Sequence, residues 1–93
     1  MDVLDSDRHT MSERELLGIF SRIVGDLLED DSIALSMTTR RSDVPDWDSF
    51  SYINFFATVE MELNVRYGVA DVESFDDVGA IVRRTQALLL APE

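Results

Sequence analysis

The sequence predicts an all-α fold, a bundle of three long helices and one short helix. Apolar residues recur every three or four positions in three stretches of the chain, which is the spacing of amphipathic helices. No stretch alternates polar and apolar residues as a half-buried strand does. A chain of 93 residues suits one small domain. We therefore expect a helical domain over residues 12–90, between a flexible tail at 1–11 and a short tail at 91–93.

The first predicted helix begins close to Ser12. Capping boxes, in which a serine or threonine precedes a glutamate by three residues, start at both Thr10 and Ser12. Gly18 and Gly25 fall on the opposite side of the helix from its apolar residues, so we assign both glycines to solvent. The apolar face of this helix comprises Leu16, Phe20, Ile23, Val24 and Leu27.

A long polar connection follows, from residue 29 to residue 48. Loops of this length are unusual in compact domains unless they are anchored or functional. Its acidic residues do not fit the calcium loop of EF-hand proteins. A loop that starts at Asp46 puts Ala57 in the place of the bidentate glutamate, and one that starts at Asp30 puts Arg41 there. We therefore predict no metal site, and the expected anchors of the connection are its apolar residues Ile33, Leu35, Met37 and Val44.

The central helix is predicted to run from Ser49 to about Asn64. Pro45 disfavours a helix just before it, and Ser49 is placed to cap the first turn. The helix is expected to end at Asn64, because asparagine is the usual substitute for glycine at a left-handed helix end. Two apolar stripes lie on nearly opposite sides of this helix. The core stripe comprises Tyr52, Phe55, Phe56, Val59 and Leu63, and the second stripe comprises Phe50, Ala57 and Met61, with Asn54 beside it.

The last part of the chain predicts a short helix and a long one. A single turn of helix is expected at about Ala70 to Glu73, and Asp76 or Asp77 is placed to cap the final helix, where a negative charge is favourable. The apolar face of the final helix comprises Val78, Ile81, Val82, Thr85, Leu88 and Leu89. The core is predicted to draw on Phe20, Ile23, Leu27, Phe55, Val59, Leu63, Ile81, Val82 and Leu88.

Composition excludes several classes of function. The net charge is −11, from 19 acidic and 8 basic residues, whereas binding to nucleic acid requires a basic surface. The absence of cysteine excludes disulfides, thiolate metal sites and a cysteine nucleophile. No apolar run reaches the ~20 residues that a membrane-spanning helix needs, and no signal-peptide pattern follows Met1. We expect a cytoplasmic monomer.

The residues around Ser49 carry a resemblance to a known family. Asp48-Ser49-Phe50 opens the central helix, which ends in Glu60-Met61-Glu62-Leu63. This pattern resembles the acyl carrier protein family, whose signature is Asp-Ser-Leu at the head of the second of four helices. Residues 64–67 are similar to the turn after that helix, and residues 74–82 to the entry into its last helix. The resemblance therefore extends over most of the chain, from about Ser12 to Leu89, and implies a four-helix carrier-protein bundle.

The resemblance also implies a cofactor, partners and a role. Ser49 would carry covalent 4′-phosphopantetheine, attached by a phosphopantetheinyl transferase, with Asp48 and Phe50 beside the attachment point. Acyl-loading and acyl-processing enzymes with basic docking surfaces would act on acyl groups held as thioesters on this arm. The domain itself would not be an enzyme, and no histidine, cysteine or lysine lies near Ser49 in the sequence to activate it. The expected partner-facing residues are Phe50, Asn54, Ala57, Glu60 and Met61.

Two departures from the family pattern bear on the pathway. Phe50 replaces the usual leucine. Fatty-acid carriers present several acids on the exposed side of this helix, and of the matching positions here only Glu60 is acidic, the others being Ser51, Asn54, Ala57 and Met61. A dedicated carrier for a specialised acyl, polyketide or lipid pathway therefore fits better than a fatty-acid carrier. Two alternatives stay open. One is an aminoacyl or peptidyl carrier, and the other is an unmodified acidic adaptor that binds a partner through the second stripe.

Overall fold

The computed structural model describes residues 11–90, and within that range it contains helices and no strand. The predicted all-α bundle of three long helices and one short helix is confirmed. A single 3₁₀ turn interrupts the first long connection at Arg41–Asp43. The predictions made for Thr10 and for the two tails fall on residues outside this range, except at Met11. The helices are α1 at Glu13–Leu28, α2 at Ser49–Leu63, α3 at Val69–Ser74 and α4 at Val78–Leu90.

The capping box at Ser12 starts α1 as predicted. The Ser12 hydroxyl oxygen accepts a hydrogen bond from the backbone N–H of Glu15 at 3.1 Å, and the Glu15 carboxylate accepts one from the N–H of Ser12 at 2.9 Å. Two donors of the first turn are therefore satisfied by side chains of the same turn. Asn64 ends α2 in the left-handed conformation, with φ of 57°, as its residue type predicted.

The core lies between α1, α2 and α4. Phe20 and Phe55 meet edge to face in it, with ring centroids 5.2 Å apart. Trp47 and Tyr67 are also buried, and both pack against aromatic residues of α2. Each fully buried large apolar side chain contributes on the order of 1.5–3 kcal/mol. Of the predicted core, Leu63 and Leu88 are half-buried, whereas Phe20, Ile23, Phe55, Val59, Ile81 and Val82 are buried.

Two predictions at the end of α1 are wrong. Leu27, predicted in the core, is 36% exposed, and Gly25, predicted at the surface, is buried. The reason is the path of the chain after the helix. The chain turns back over Gly25, and a Cβ added to that glycine would lie 3.0 Å from the carbonyl oxygen of Asp30 and 4.0 Å from Cβ of Ile33. The returning connection therefore covers the glycine side of α1 and leaves Leu27 at the edge of the core.

The long connection is anchored by apolar side chains and by its backbone. Leu35 and Val44 are buried, and the other two predicted anchors are half-buried. The carbonyl of Met37 accepts a hydrogen bond from the N–H of Gly79, and that of Thr39 accepts one from the N–H of Val78, both at 2.8 Å. The connection thus satisfies donors in the first turn of α4, which a helix cannot satisfy internally. Asp77 satisfies another, since its carboxylate accepts a hydrogen bond from the N–H of Ala80 at 2.9 Å.

A buried polar contact ties the segment after α2 to α4. The hydroxyls of Tyr67 and Thr85 are hydrogen-bonded, and both side chains are buried. Because the Thr85 hydroxyl already donates to the carbonyl oxygen of Ile81 at 2.7 Å, the Tyr67 hydroxyl is the donor in this pair. Burial raises the pKa of Tyr67 to about 12.

This raised pKa predicts a loss of stability in alkali. Between its ordinary pKa of 10.0 and about 12, Tyr67 is ionised in the unfolded chain but protonated in the folded protein. The unfolded state therefore binds fewer protons in this window, and the free energy of unfolding falls as the pH rises, by roughly 2 kcal/mol for this residue. Urea unfolding at pH 8, 10 and 11.5 measures the fall. Tyr67→Phe should lack this part of the slope, and an unchanged slope in that variant would assign the effect to other groups.

Candidate functional site

Ser49 lies at the start of α2 and is exposed, but it is not the residue that caps the helix. The cap is Asp48, whose backbone is extended and whose carboxylate accepts a hydrogen bond from the N–H of Ser51 at 3.0 Å. That bond lowers the pKa of the Asp48 carboxyl. The prediction that Ser49 caps α2 is therefore wrong by one position, because an ionised carboxylate takes the role one residue earlier. The hydroxyl of Ser49 is left free of the cap.

A cation lies beside the Ser49 hydroxyl. Nη1 of Arg41 donates a long hydrogen bond to Oγ of Ser49, at 3.4 Å, and the guanidinium carbon of Arg41 lies 5.2 Å from the ring centroid of Tyr52. Arg41 belongs to the 3₁₀ turn, where the N–H of Arg40 donates to the carboxylate of Asp43 at 2.9 Å. Burial raises the pKa of Tyr52, and the charge of Arg41 opposes that rise.

A cleft of about 470 Å³ opens next to Ser49. It lies between the 3₁₀ turn, the start of α2, α3 and the start of α4, and its walls combine apolar side chains such as Val72, Phe75 and Ile81 with polar ones. The Trp47 side chain lines the cleft, and its indole N–H is buried with no hydrogen-bond partner among residues 11–90. Buried N–H groups are normally hydrogen-bonded, and this one is an exception among the described residues.

These features fit a covalently attached phosphopantetheine group. Ser49 supplies an exposed hydroxyl for the phosphodiester, and Arg41 supplies a cation next to it. The arm would find apolar walls in the neighbouring cleft. In the part of the chain that the structure describes, no group of acidic or histidine side chains could hold a metal ion. No helix within the same residues is long and apolar enough to cross a membrane.

The second stripe of α2 faces away from the core. Phe50 is 77% exposed and Met61 is 79% exposed, and Ala57 between them is also exposed. Ile53, at 57%, belongs to the same stripe and was not predicted, although it lies three residues after Phe50 and four before Ala57. Large exposed apolar side chains that form one contiguous patch are typical of a surface that binds a partner.

The two remaining residues expected on this surface lie at its margins. Asn54 is half-buried, and the carboxylate of Glu60 accepts a hydrogen bond from the N–H of Tyr67 at 2.8 Å. One Glu60 oxygen therefore stabilises the turn that follows α2.

The geometry also identifies site residues that sequence reasoning missed. In the sequence, Arg41 counts only as a residue that excludes a calcium loop, and no pattern marks Trp47 as a core residue. Neither residue shares a helix with Ser49, so no periodic pattern links them to it. The spacing of Ile53 relative to Phe50 and Ala57 was a usable signal, whereas the contact between Arg41 and Ser49 depends on the path of the connection.

The architecture is a small four-helix bundle with a long first connection, and it has a known counterpart. Its fold is similar to that of the holo acyl carrier protein from Geobacter metallireducens, solved by solution NMR, with a TM-score of 0.73 and 25% sequence identity. The similarity covers 78% of this chain and 84% of that chain. No protein-family model and no curated protein sequence matches the chain. The predicted bundle of the acyl carrier type is therefore confirmed as a fold.

Proposed function

We propose that this protein is an acyl carrier protein whose arm, 4′-phosphopantetheine, is attached to Ser49. The observation that carries the proposal is the exposed Ser49 hydroxyl at the head of α2, in a fold similar to that of a holo acyl carrier protein. A transferase would move the arm from coenzyme A to the Ser49 oxygen: the hydroxyl loses its proton, the new P–O bond forms at Ser49, the phosphoanhydride bond of coenzyme A breaks, and adenosine 3′,5′-bisphosphate leaves. When attached, the arm supplies a thiol on which acyl groups are held as thioesters, and this chain has no cysteine of its own to do so.

The protein would act by placement and recognition rather than by catalysis. Asp48 caps α2 and so leaves the neighbouring hydroxyl accessible. The positive end of the helix dipole favours an anion at this position. The cleft next to Ser49 offers space beside the arm, and the second stripe of α2 (Phe50, Ile53, Ala57 and Met61) offers an apolar surface to partner enzymes.

The same surface supports a specialised pathway. A carrier recognised mainly by charge would present several acids on the exposed side of α2. Here the exposed stripe is apolar, and Glu60, the one acid expected on it, is hydrogen-bonded to the backbone of Tyr67. We infer that the partner enzymes are dedicated ones that bury Phe50 and Met61.

The experiment that tests the function is a mass measurement on the whole protein. The apo protein is incubated with coenzyme A and a broad-range phosphopantetheinyl transferase, and the expected result is the gain of one arm. A protein that stays unmodified with several transferases, while binding a partner through the second stripe, would be an adaptor. A holo protein that is loaded by an adenylation enzyme with an amino acid, and by no acyl-loading enzyme, would be an aminoacyl carrier.

A pair of substitutions on α2 separates the surface from the core. Met61→Ala should change the free energy of unfolding by less than about 0.5 kcal/mol, because the side chain is 79% exposed. Val59→Ala, two residues away and fully buried, should cost about 2 kcal/mol through lost burial and the cavity left behind. Thermal and urea unfolding measure both.

The surface variant should also weaken docking. Met61→Ala is expected to raise the dissociation constant for the transferase about tenfold, mostly through faster dissociation. Val69→Ala is the control, because Val69 is 76% exposed but lies on α3, outside the second stripe. Equal losses in both variants, or none in Met61→Ala, would place the docking surface elsewhere.

A further inference from the structure

We propose that Arg41 binds the phosphodiester of the arm at Ser49 and so fixes the direction in which the arm leaves the protein. The inference rests on the proposed function, since it needs the arm to be attached. Arg41 would be a positioning residue, because it makes no bond that forms or breaks when the arm is attached.

Arg41 and Ser49 are in direct contact in the structure. Nη1 of Arg41 lies 3.4 Å from Oγ of Ser49, the atom to which the phosphorus would be bonded. The anionic oxygens of a phosphodiester lie one bond beyond that phosphorus, so they come within reach of the same guanidinium. At this distance a hydrogen bond to a neutral hydroxyl is weak. With a phosphate as acceptor, the contact becomes charge-assisted, and the planar guanidinium can make two parallel hydrogen bonds.

The Arg41 side chain packs on an aromatic ring that limits its movement. Its guanidinium carbon lies 5.2 Å from the ring centroid of Tyr52, as in a cation–π contact. The Tyr52 ring in turn packs edge to face on Trp47, with centroids 5.5 Å apart. The backbone is fixed as well, because the carbonyl of Arg41 accepts a hydrogen bond from the N–H of Val44 at 3.1 Å. Little side-chain freedom would be lost when a phosphate binds.

The positive charge of Arg41 is not neutralised by a carboxylate of residues 11–90. Among residues 11–90, the arginines that form ion pairs with carboxylates are Arg22 and Arg84, and Arg41 forms none. The ionised Asp48 next to Ser49 disfavours a second negative charge there, and so do Asp76 and Asp77, which also line the cleft. Among these charged neighbours Arg41 is the cation in contact with Ser49, so a phosphodiester at Ser49 is stabilised where it faces Arg41.

The test is phosphorus NMR of the holo protein at low ionic strength. Wild-type protein should show a ³¹P shift distinct from that of the same holo protein unfolded in urea. In Arg41→Gln the shift should move to the unfolded value, and in Arg41→Lys it should lie between the two, because an ammonium keeps the charge without the planar fork. Arg83→Gln, at an exposed arginine on α4, removes the same charge and should leave the wild-type shift. Equal shifts in wild type and Arg41→Gln would overturn the proposal.

A second measurement needs no substitution. In wild-type protein, the side-chain ¹H–¹⁵N resonances of Arg41 should move when the arm is attached, and those of Arg83 should not. Unmoved Arg41 resonances would overturn the proposal even if Arg41→Gln cannot be loaded. A wild-type protein that never gains the arm would overturn the proposed function and this inference together, whereas normal loading with unmoved resonances would overturn the inference alone.

Discussion

Ser49→Ala is expected to yield a folded protein that gains no arm under conditions in which the wild-type protein gains one. The hydroxyl that we propose accepts the arm is lost, and the helix cap remains, because the bond from the N–H of Ser51 to the Asp48 carboxylate does not involve Ser49. The contact that disappears is the long hydrogen bond from Arg41. The free energy of unfolding should therefore change by less than about 0.5 kcal/mol. Intact mass measures whether the arm is gained, and thermal unfolding measures the change in stability.

The neighbouring serines are the matched controls for this loss. Ser51 is half-buried in the first turn of α2, and Ser42 lies in the 3₁₀ turn at the cleft. Ser51→Ala and Ser42→Ala should both be loaded as fully as wild type. An arm found on either residue, or an arm on the Ser49→Ala variant, would show that the attachment site is assigned to the wrong serine.

Gly79→Ala is expected to lower the free energy of unfolding by about 2–4 kcal/mol, from overpacking and a lost hydrogen bond. A Cβ at this position would lie 2.5 Å from the backbone carbonyl oxygen of Met37, to which the N–H of Gly79 is bonded. Backbone cannot rotate away as the end of a side chain can. The connection must therefore separate from α4, and the contact of Thr39 with Val78 is weakened with it.

Gly18→Ala is the opposite case in the same protein. Gly18 lies within α1 with nothing within 4 Å of an added Cβ, so alanine should stabilise the helix by about 0.5–1 kcal/mol. Urea unfolding of the two variants should give changes of opposite sign. Equal small gains in both would mean that the connection moves away from α4 at no cost and is not fixed by it.

The helices were predictable because their signals are local. The capping box at Ser12, the left-handed end at Asn64 and the apolar spacing of each helix involve residues within a few positions of one another. The errors arose where distant segments decide. Gly25 is buried because the chain returns over it, and no spacing within α1 records that return. The cap of α2 was misplaced because Asp48 and Ser49 are both good capping residues, and one position decides between them.

The candidate site also contains some residues that local sequence patterns predict and others that they do not. Ser49 and the apolar residues of the second stripe lie on one helix, so their common position could be predicted from α2 alone. Arg41 reaches Ser49 through the fold of the connection, and Trp47 faces a cleft that α3 and α4 complete. These contributions depend on side chains that share no helix, and periodicity carries no information about them.

The bonds from Met37 and Thr39 to the start of α4 have a consequence for the order of folding. They join residues roughly forty positions apart, so the entropy of closing that long segment must be overcome before they form. During synthesis the connection has no α4 to bind until the last part of the domain has left the ribosome. We therefore expect the connection near Met37 and Thr39 to become ordered only when α4 is present, and a partial chain that ends before α4 would lack part of the cleft beside Ser49 even with α1 and α2 already formed.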